Sequence, residues 1–232
     1  MLLLAIDTSG KNGSLALVRV SERPKLTRGD NNEFTTLELV PLAGRMYSAQ
    51  VIPSLQALTR QHLTKTDLDA FIVASGPGSF TGLRVGLSTV KALSEVLHKP
   101  IVAVSVLEAA ARVTNVDTHV IVALDAGRKQ VFLGDYKFTT GEHSESLVTS
   151  EEFFTAARNT TAVLFSPDAA LREAAADHEL NIQTLVSPQA DVFARLGYEK
   201  LLAGKVSPAD TLEANYIRAS DAELFSLPKL LS

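Results

Sequence analysis

The sequence predicts an α/β protein built from two related lobes. Three observations carry that prediction. Short apolar runs that read as buried strands (Leu2 to Ile6, Ala70 to Ala74, Ile101 to Val104, Val120 to Leu124) alternate with segments of helical periodicity. The second half then repeats the opening: an apolar strand, an aspartate, small turn residues and a second strand, first around Asp7 and again around Asp125. That spacing is domain-sized. It puts a boundary near Ser105, with a first lobe over 1–104 and a second over 105–232.

The elements follow in order. After the strand Leu2 to Ile6, the run Asp7-Thr8-Ser9-Gly10-Lys11-Asn12-Gly13 is turn chemistry, with Asn12-Gly13 a hairpin signal. Ser14 to Val20 reads as a second strand, Ser21 to Glu33 as a polar loop and Phe34 to Leu42 as a third strand. Val51, Ile52, Leu55 and Leu58 recur at helical spacing, so Pro53 must sit in that helix's first turn or kink it. Strand 70–74 leads into a glycine-rich loop and a long helix, and strand 101–104 follows Pro100. In the second half, Ala126-Gly127-Arg128-Lys129 is a turn and Gln130 to Phe138 a strand. Helices are expected near Glu151 to Arg158, Ala169 to His178 and Gln189 to Leu202, and strands near Val163 and Ile182. The helix over 189–203 is expected to pack back on the first lobe.

Composition narrows the chemistry. The chain has 232 residues, a net charge of −4 and no cysteine. Disulfides, thiolate metal sites and cysteine nucleophiles are therefore excluded, and the molecule as a whole is no polyanion binder. The apolar opening Met1 to Ile6 ends at Asp7, has no basic flank and is too short to span a bilayer, which makes the default reading cytoplasmic. The five histidines, His62, His98, His119, His143 and His178, form no pair at metal-ligating spacing. Asp67 and Asp69 precede a strand, and Glu151 and Glu152 open a helix, where carboxylates suit the dipole. Neither pair reads as catalytic.

Two features remain. A strand that ends in aspartate and turns through small residues can cradle phosphate, with backbone N–H groups on the oxygens and the carboxylate on a magnesium or its waters. Asp7, Thr8 and Ser9 in the first lobe and Asp125 and Gly127 in the second are the candidate residues. The plainer reading is that both aspartates only stabilise their turns. The second feature is Ser75-Gly76-Pro77-Gly78-Ser79-Phe80-Thr81-Gly82-Leu83-Arg84-Val85-Gly86. It is not a Walker A loop, since no Gly-Lys-Ser/Thr follows. Gly78, Gly82 and Gly86 are four apart and lie near one helix face. Each helix-interior glycine costs about 1 kcal/mol relative to alanine, and close approach of another backbone is what offsets that cost. A partner face formed by Gly78, Phe80, Thr81, Gly82, Val85, Gly86, Thr89 and Leu93 is one outcome. Purely intramolecular packing is a second, and a phosphate cradle at the helix entry is a third. Arg84, Ser88, Lys91 and Glu95 form the opposite, polar stripe.

Leu4-Ala5-Ile6-Asp7-Thr8-Ser9 and the run Gly76 to Gly86, with Leu124-Asp125-Ala126-Gly127-Arg128 and Asn215-Tyr216-Ile217-Arg218, resemble the TsaB (YeaZ) family in the right order. The resemblance implies an actin-like, Hsp70-like ATPase (ASKHA) fold. It implies a role in making threonylcarbamoyladenosine in tRNA, as the activating partner of a paralogous transferase, TsaD, with a small ATPase, TsaE, joining the assembly. It also implies that the helix after the glycine loop is the dimer surface. Self-pairing through that face is expected when the chain is alone, because exposed apolar stripes rarely stay bare, and a chain this acidic is expected to meet tRNA only indirectly. The paralogue is implied to hold a metal through His-x-x-x-His, where this chain has Val106 and Ala110 beside Glu108. No cofactor is expected to be required, and any binding of ATP or ADP with magnesium at the two turns is expected to be weak. Arg45-Met46-Tyr47-Ser48 departs from the family's Arg-x-His-Ser. A small-molecule kinase or ATPase of the same fold class is the alternative. A peptidase activity, attached to relatives by name, finds no residues to perform it.

Overall fold

The computed structural model describes residues 1–21, 34–43, 46–62, 68–215 and 217. The chain divides into two compact units, Met1–Asn115 with Val186–Ala214, and Val116–Leu185 with Asn215–Ser232.

In the first unit, β1 (Leu2–Asp7), β2 (Gly13–Val20), β3 (Phe34–Leu42), β4 (Ala70–Gly76) and β5 (Ile101–Ser105) form a sheet in the order β3-β2-β1-β4-β5. The β1–β2 and β2–β3 pairs are antiparallel, while β1–β4 and β4–β5 are parallel. Both faces are covered, so β1 is apolar without alternation. Leu2, Leu4 and Ile6 join a core under α1 (Tyr47–His62) and α2 (Phe80–Leu97). Leu3 and Ala5 join a core on the other face, under α3 (Val106–Arg112) and α6 (Ala190–Leu202). The first unit continues past Ser105 because Ala109 of α3 packs into that second core.

The second unit repeats the plan. Here β6 (His119–Gly127), β7 (Gln130–Lys137), β8 (Glu142–Thr149), β9 (Val163–Ser166) and β10 (Gln183–Thr184) form a sheet in the order β10-β9-β6-β7-β8. With β6 to β10 matched to β1 to β5, neighbours and directions are the same in both sheets. α4 (Ser150–Ala157) and α5 (Ala169–Ala176) cover one face through Phe153, Phe154, Leu171 and Ala175. A capping box between Thr149 and Glu152 opens α4. The Thr149 backbone and hydroxyl hold the Glu152 carboxyl below its ordinary pKa.

Three local differences from the sequence reading have physical causes. α1 begins at Tyr47, so Pro53 falls in its second turn and leaves the Ala49 carbonyl without that N–H. Asp7 pairs with Ser14, so Asn12-Gly13 is not a two-residue hairpin. Gly13 is required for space instead, since a Cβ there would stand 2.5 Å from the Asp7 carbonyl oxygen and 2.7 Å from the Tyr47 ring. β8 is a strand that the polar run Glu142 to Ser146 conceals; it exists because it pairs along its length with β7. Residues Arg45, Tyr216, Arg218 and Asp67 and most of the Ser21 to Glu33 loop lie outside the described residues.

Candidate functional site

β1 delivers Asp7 to its C-terminal end, where Asp7, Thr8 and Ser9 are all buried. One carboxylate oxygen of Asp7 accepts both the Ser9 N–H (2.9 Å) and the Ser9 hydroxyl (2.6 Å). Burial pushes the Asp7 carboxyl up from its ordinary pKa, and the two Ser9 bonds only oppose that shift. The next groups are committed as well. The Ser9 carbonyl accepts the Ser79 N–H at 2.7 Å, and the Thr8 hydroxyl donates to the Gly82 carbonyl at 2.7 Å. Ser79 is the N-cap of α2 and accepts the Gly82 N–H.

The glycines explain how the helix comes so close. A Cβ at Gly78 would collide with the Ser9 carbonyl, and one at Gly82 with the Thr8 carbonyl. At Gly86 it would stand 2.5 Å from the Thr8 hydroxyl oxygen and 3.6 Å from methyls of Ile6 and Val73. The glycine row is thus a groove that receives the Thr8–Ser9 backbone of the same unit. The missing side chains make room for β1's own turn, with Gly82 and Gly86 buried against it and Gly78 exposed at the helix entry.

The rest of the expected partner face divides. Phe80 and Thr81 are exposed, whereas Val85, Thr89 and Leu93 are half-buried, with Val85 and Leu93 against the first core. The outward side of α2 carries Phe80, Thr81, Arg84, Ser88, Ala92 and Val96, the last 74% exposed. The Arg84 guanidinium lies 3.8 Å over the Phe80 ring.

In the second unit Asp125 is exposed at the corresponding strand end. Its carboxylate accepts the Gly127 N–H at 2.8 Å, and its own N–H donates to Asp168 at 2.7 Å. Asp168 is the N-cap of α5 but gives the helix no side-chain bond. Gly127, Arg128 and Lys129 all have positive φ, at 70°, 54° and 57°. Arg128 and Lys129 are the two central residues of the hairpin that Gly127 and Gln130 close.

On α3, at the positions where the resemblance implies metal ligands in the paralogue, Ala110 is fully buried and Glu108 pairs with Lys200 at 2.6 Å. Arg112 pairs with Glu199, so both ion pairs tie α3 to α6. Among the described residues no group of three or more His, Asp or Glu is placed to hold a metal ion. Two residues that the sequence did not single out also build this region. Ser14, cross-strand from Asp7, accepts the Ala190 N–H and docks the start of α6. Gly197 lets α6 down onto Ile72, at 2.5 Å from where its Cβ would stand. The only sequence signal for it was a single glycine in a helical run.

Two sheets of one topology, each with an aspartate turn at the end of its first strand, define a two-lobed α/β protein of the actin-like, Hsp70-like class. A family model described as "TsaD: tRNA N6-adenosine threonylcarbamoyltransferase" matches residues 40–194. The chain belongs to that family, and it groups there with the TsaB/YeaZ proteins. It is similar to the Bacillus subtilis protein named tRNA threonylcarbamoyladenosine biosynthesis protein TsaB, at 33% identity over 61% of this chain and 57% of that one. The Escherichia coli protein of the same name is 30% identical over 65% of this chain and 64% of its own. The chain thus spans less than two thirds of the length of these curated relatives. Among solved structures, YeaZ from Pseudomonas aeruginosa superposes with a TM-score of 0.71 at 23% identity, covering 93% of this chain and 99% of that one. A second P. aeruginosa protein, described as similar to peptidase YeaZ, gives 0.72 at 22% identity, over 94% of this chain and 99% of its own. No helix among the described residues is long and apolar enough to cross a membrane.

Proposed function

We propose that this chain takes part in threonylcarbamoyladenosine biosynthesis in tRNA as a non-catalytic, cytoplasmic subunit. In this reading it pairs with the transferase paralogue, TsaD, through the outward side of α2, and the TsaE ATPase joins the pair. Alone it pairs with itself, and it meets tRNA only through the assembly. The observation that carries the non-catalytic part is on α3. In a family described as transferases, Ala110 is sealed in the core, Val106 is aliphatic, and Glu108 is committed to Lys200. Neither Val106 nor Ala110, at the two four-apart positions, offers a metal a ligand. The names of the curated relatives support the pathway, and nothing in them supports the kinase alternative.

Reconstitution tests the reading. With TsaD, TsaE, tRNA and precursors present, omitting this chain is expected to abolish modification, and undiminished product without it would end the proposal. The partner face is tested separately by Ser88→Glu combined with Ala92→Arg. Both side chains are exposed, so the fold should stay intact while pairing with the transferase weakens roughly tenfold or more. Unchanged complex on gel filtration would place the interface elsewhere.

A further inference from the structure

The fold class implies a magnesium nucleotide at the aspartate turns, and the first turn does not fit one. We infer that Asp7, Thr8 and Ser9 form a clamp that seats α2 and that this turn takes no phosphate. A phosphate cradle needs free N–H and O–H donors, and a magnesium site needs an ionised carboxylate with room for waters. Here the Ser9 N–H and hydroxyl are spent on Asp7, the Ser79 N–H on the Ser9 carbonyl and the Thr8 hydroxyl on the Gly82 carbonyl. Asp7 is buried among them at 5% exposure, so a cation on its carboxylate would have to shed the waters that magnesium keeps. The helix backbone lies directly against Thr8 and Ser9, since a Cβ at Gly78, Gly82 or Gly86 would collide with the Ser9 carbonyl, the Thr8 carbonyl or the Thr8 hydroxyl.

Thr8 and Ser9 are therefore positioning residues. They fix the N-terminal turns of α2 against β1 by bonds at both ends of the Gly78–Gly82 segment, and so set where Phe80, Thr81 and Arg84 stand. The inference concerns the turn alone and does not depend on the proposed pairing.

The experiment combines calorimetry and amide exchange on the full chain. Wild type titrated with Mg-ATP or Mg-ADP is expected to show no saturable binding at the Asp7 turn, and Asp7→Asn should change nothing in the titration. Binding that survives Asp7→Asn would put the nucleotide at another site and support the clamp. Submillimolar binding abolished by Asp7→Asn would overturn it. Thr8→Val keeps the side-chain shape and removes the hydroxyl, so the variant does not depend on Asp7→Asn folding. It should speed exchange of the amides from Gly82 to Leu87 roughly tenfold and leave those of the second unit unchanged. Unaltered protection in that stretch would sink the positioning role.

Discussion

Asp7 and Asp125 occupy the same place in two sheets of the same topology, and their surroundings are opposite. Asp7 is buried beneath α2, while Asp125 is exposed. The difference comes from the helix that follows the fourth strand of each sheet. α2 enters through Gly78 and carries Gly82 and Gly86, so its backbone descends onto the Thr8–Ser9 backbone. α5 begins Asp168-Ala169-Ala170, and it reaches its turn only through a carboxylate arm, from Asp168 to the Asp125 N–H. One sequence device, a strand ending in aspartate, becomes a core joint in one unit and a surface turn in the other. Side chains missing from a neighbouring helix decide which.

The largest expected effect is a test of that contrast. Gly82→Ala should gain about 1 kcal/mol of helix propensity and lose more to the collision with the Thr8 carbonyl. Overpacking of this kind costs about 1–3 kcal/mol, and the Thr8–Gly82 bond is about 1 kcal/mol more. A net loss of about 2 kcal/mol in urea unfolding is the expectation. A neutral or stabilised variant would break the comparison at its root. Gly127→Ala is the matched substitution in the second turn. Nothing lies within 4 Å of its added Cβ, so only the left-handed backbone at φ 70° resists it. The expected cost is about 1 kcal/mol, from backbone strain alone. Gly127→Asn should recover part of that, since asparagine tolerates this conformation. Smaller again is Asp168→Ala, which removes one bond at a half-exposed side chain, for about 0.5–1 kcal/mol. A loss as large as that of Gly82→Ala would show the two joints to be equivalent after all.

Much of this arrangement was legible in the sequence, and the missing part has a common cause. Apolar runs such as Leu2 to Ile6 and the helical spacing from Leu83 to Leu97 mark buried elements directly, because burial acts on side-chain chemistry. The repeat at Asp125 announced a second sheet of the same kind. The glycine spacing announced a close approach, but an absent Cβ carries no address: it cannot say whether the backbone that fills it comes from this chain or another. Gly197 gave the same signal more faintly, and its partner, Ile72, is far away in sequence. β8 failed for a related reason. Glu142, His143, Ser144 and Glu145 have no strand pattern of their own and are extended because Gly134 to Lys137 lie beside them. Likewise the aspartates were visible while their burial was not, since burial depends on which helix descends.

The pH dependence is the most diagnostic test, because it reads the burial of Asp7 itself. Its folded-state pKa is raised above the ordinary value of 3.8, chiefly by loss of solvent. Between those two values the folded chain holds a proton that the unfolded chain has released. Stability therefore falls as pH rises through that window, and the penalty is fully present once folded Asp7 has ionised. Asp7→Asn cannot ionise. It carries a fixed cost for the amide N–H₂ group placed where the second carboxylate oxygen stood, and that cost is the same at every pH. The wild-type and Asp7→Asn stability curves should thus diverge from about pH 4 upward, with the variant gaining on wild type, and run parallel below it. Urea midpoints taken across that range would show this even if the variant starts out weaker. Curves parallel throughout, or a variant that loses ground as pH rises, would mean that Asp7 meets its charge with water or a cation, as the exposed Asp125 is free to do.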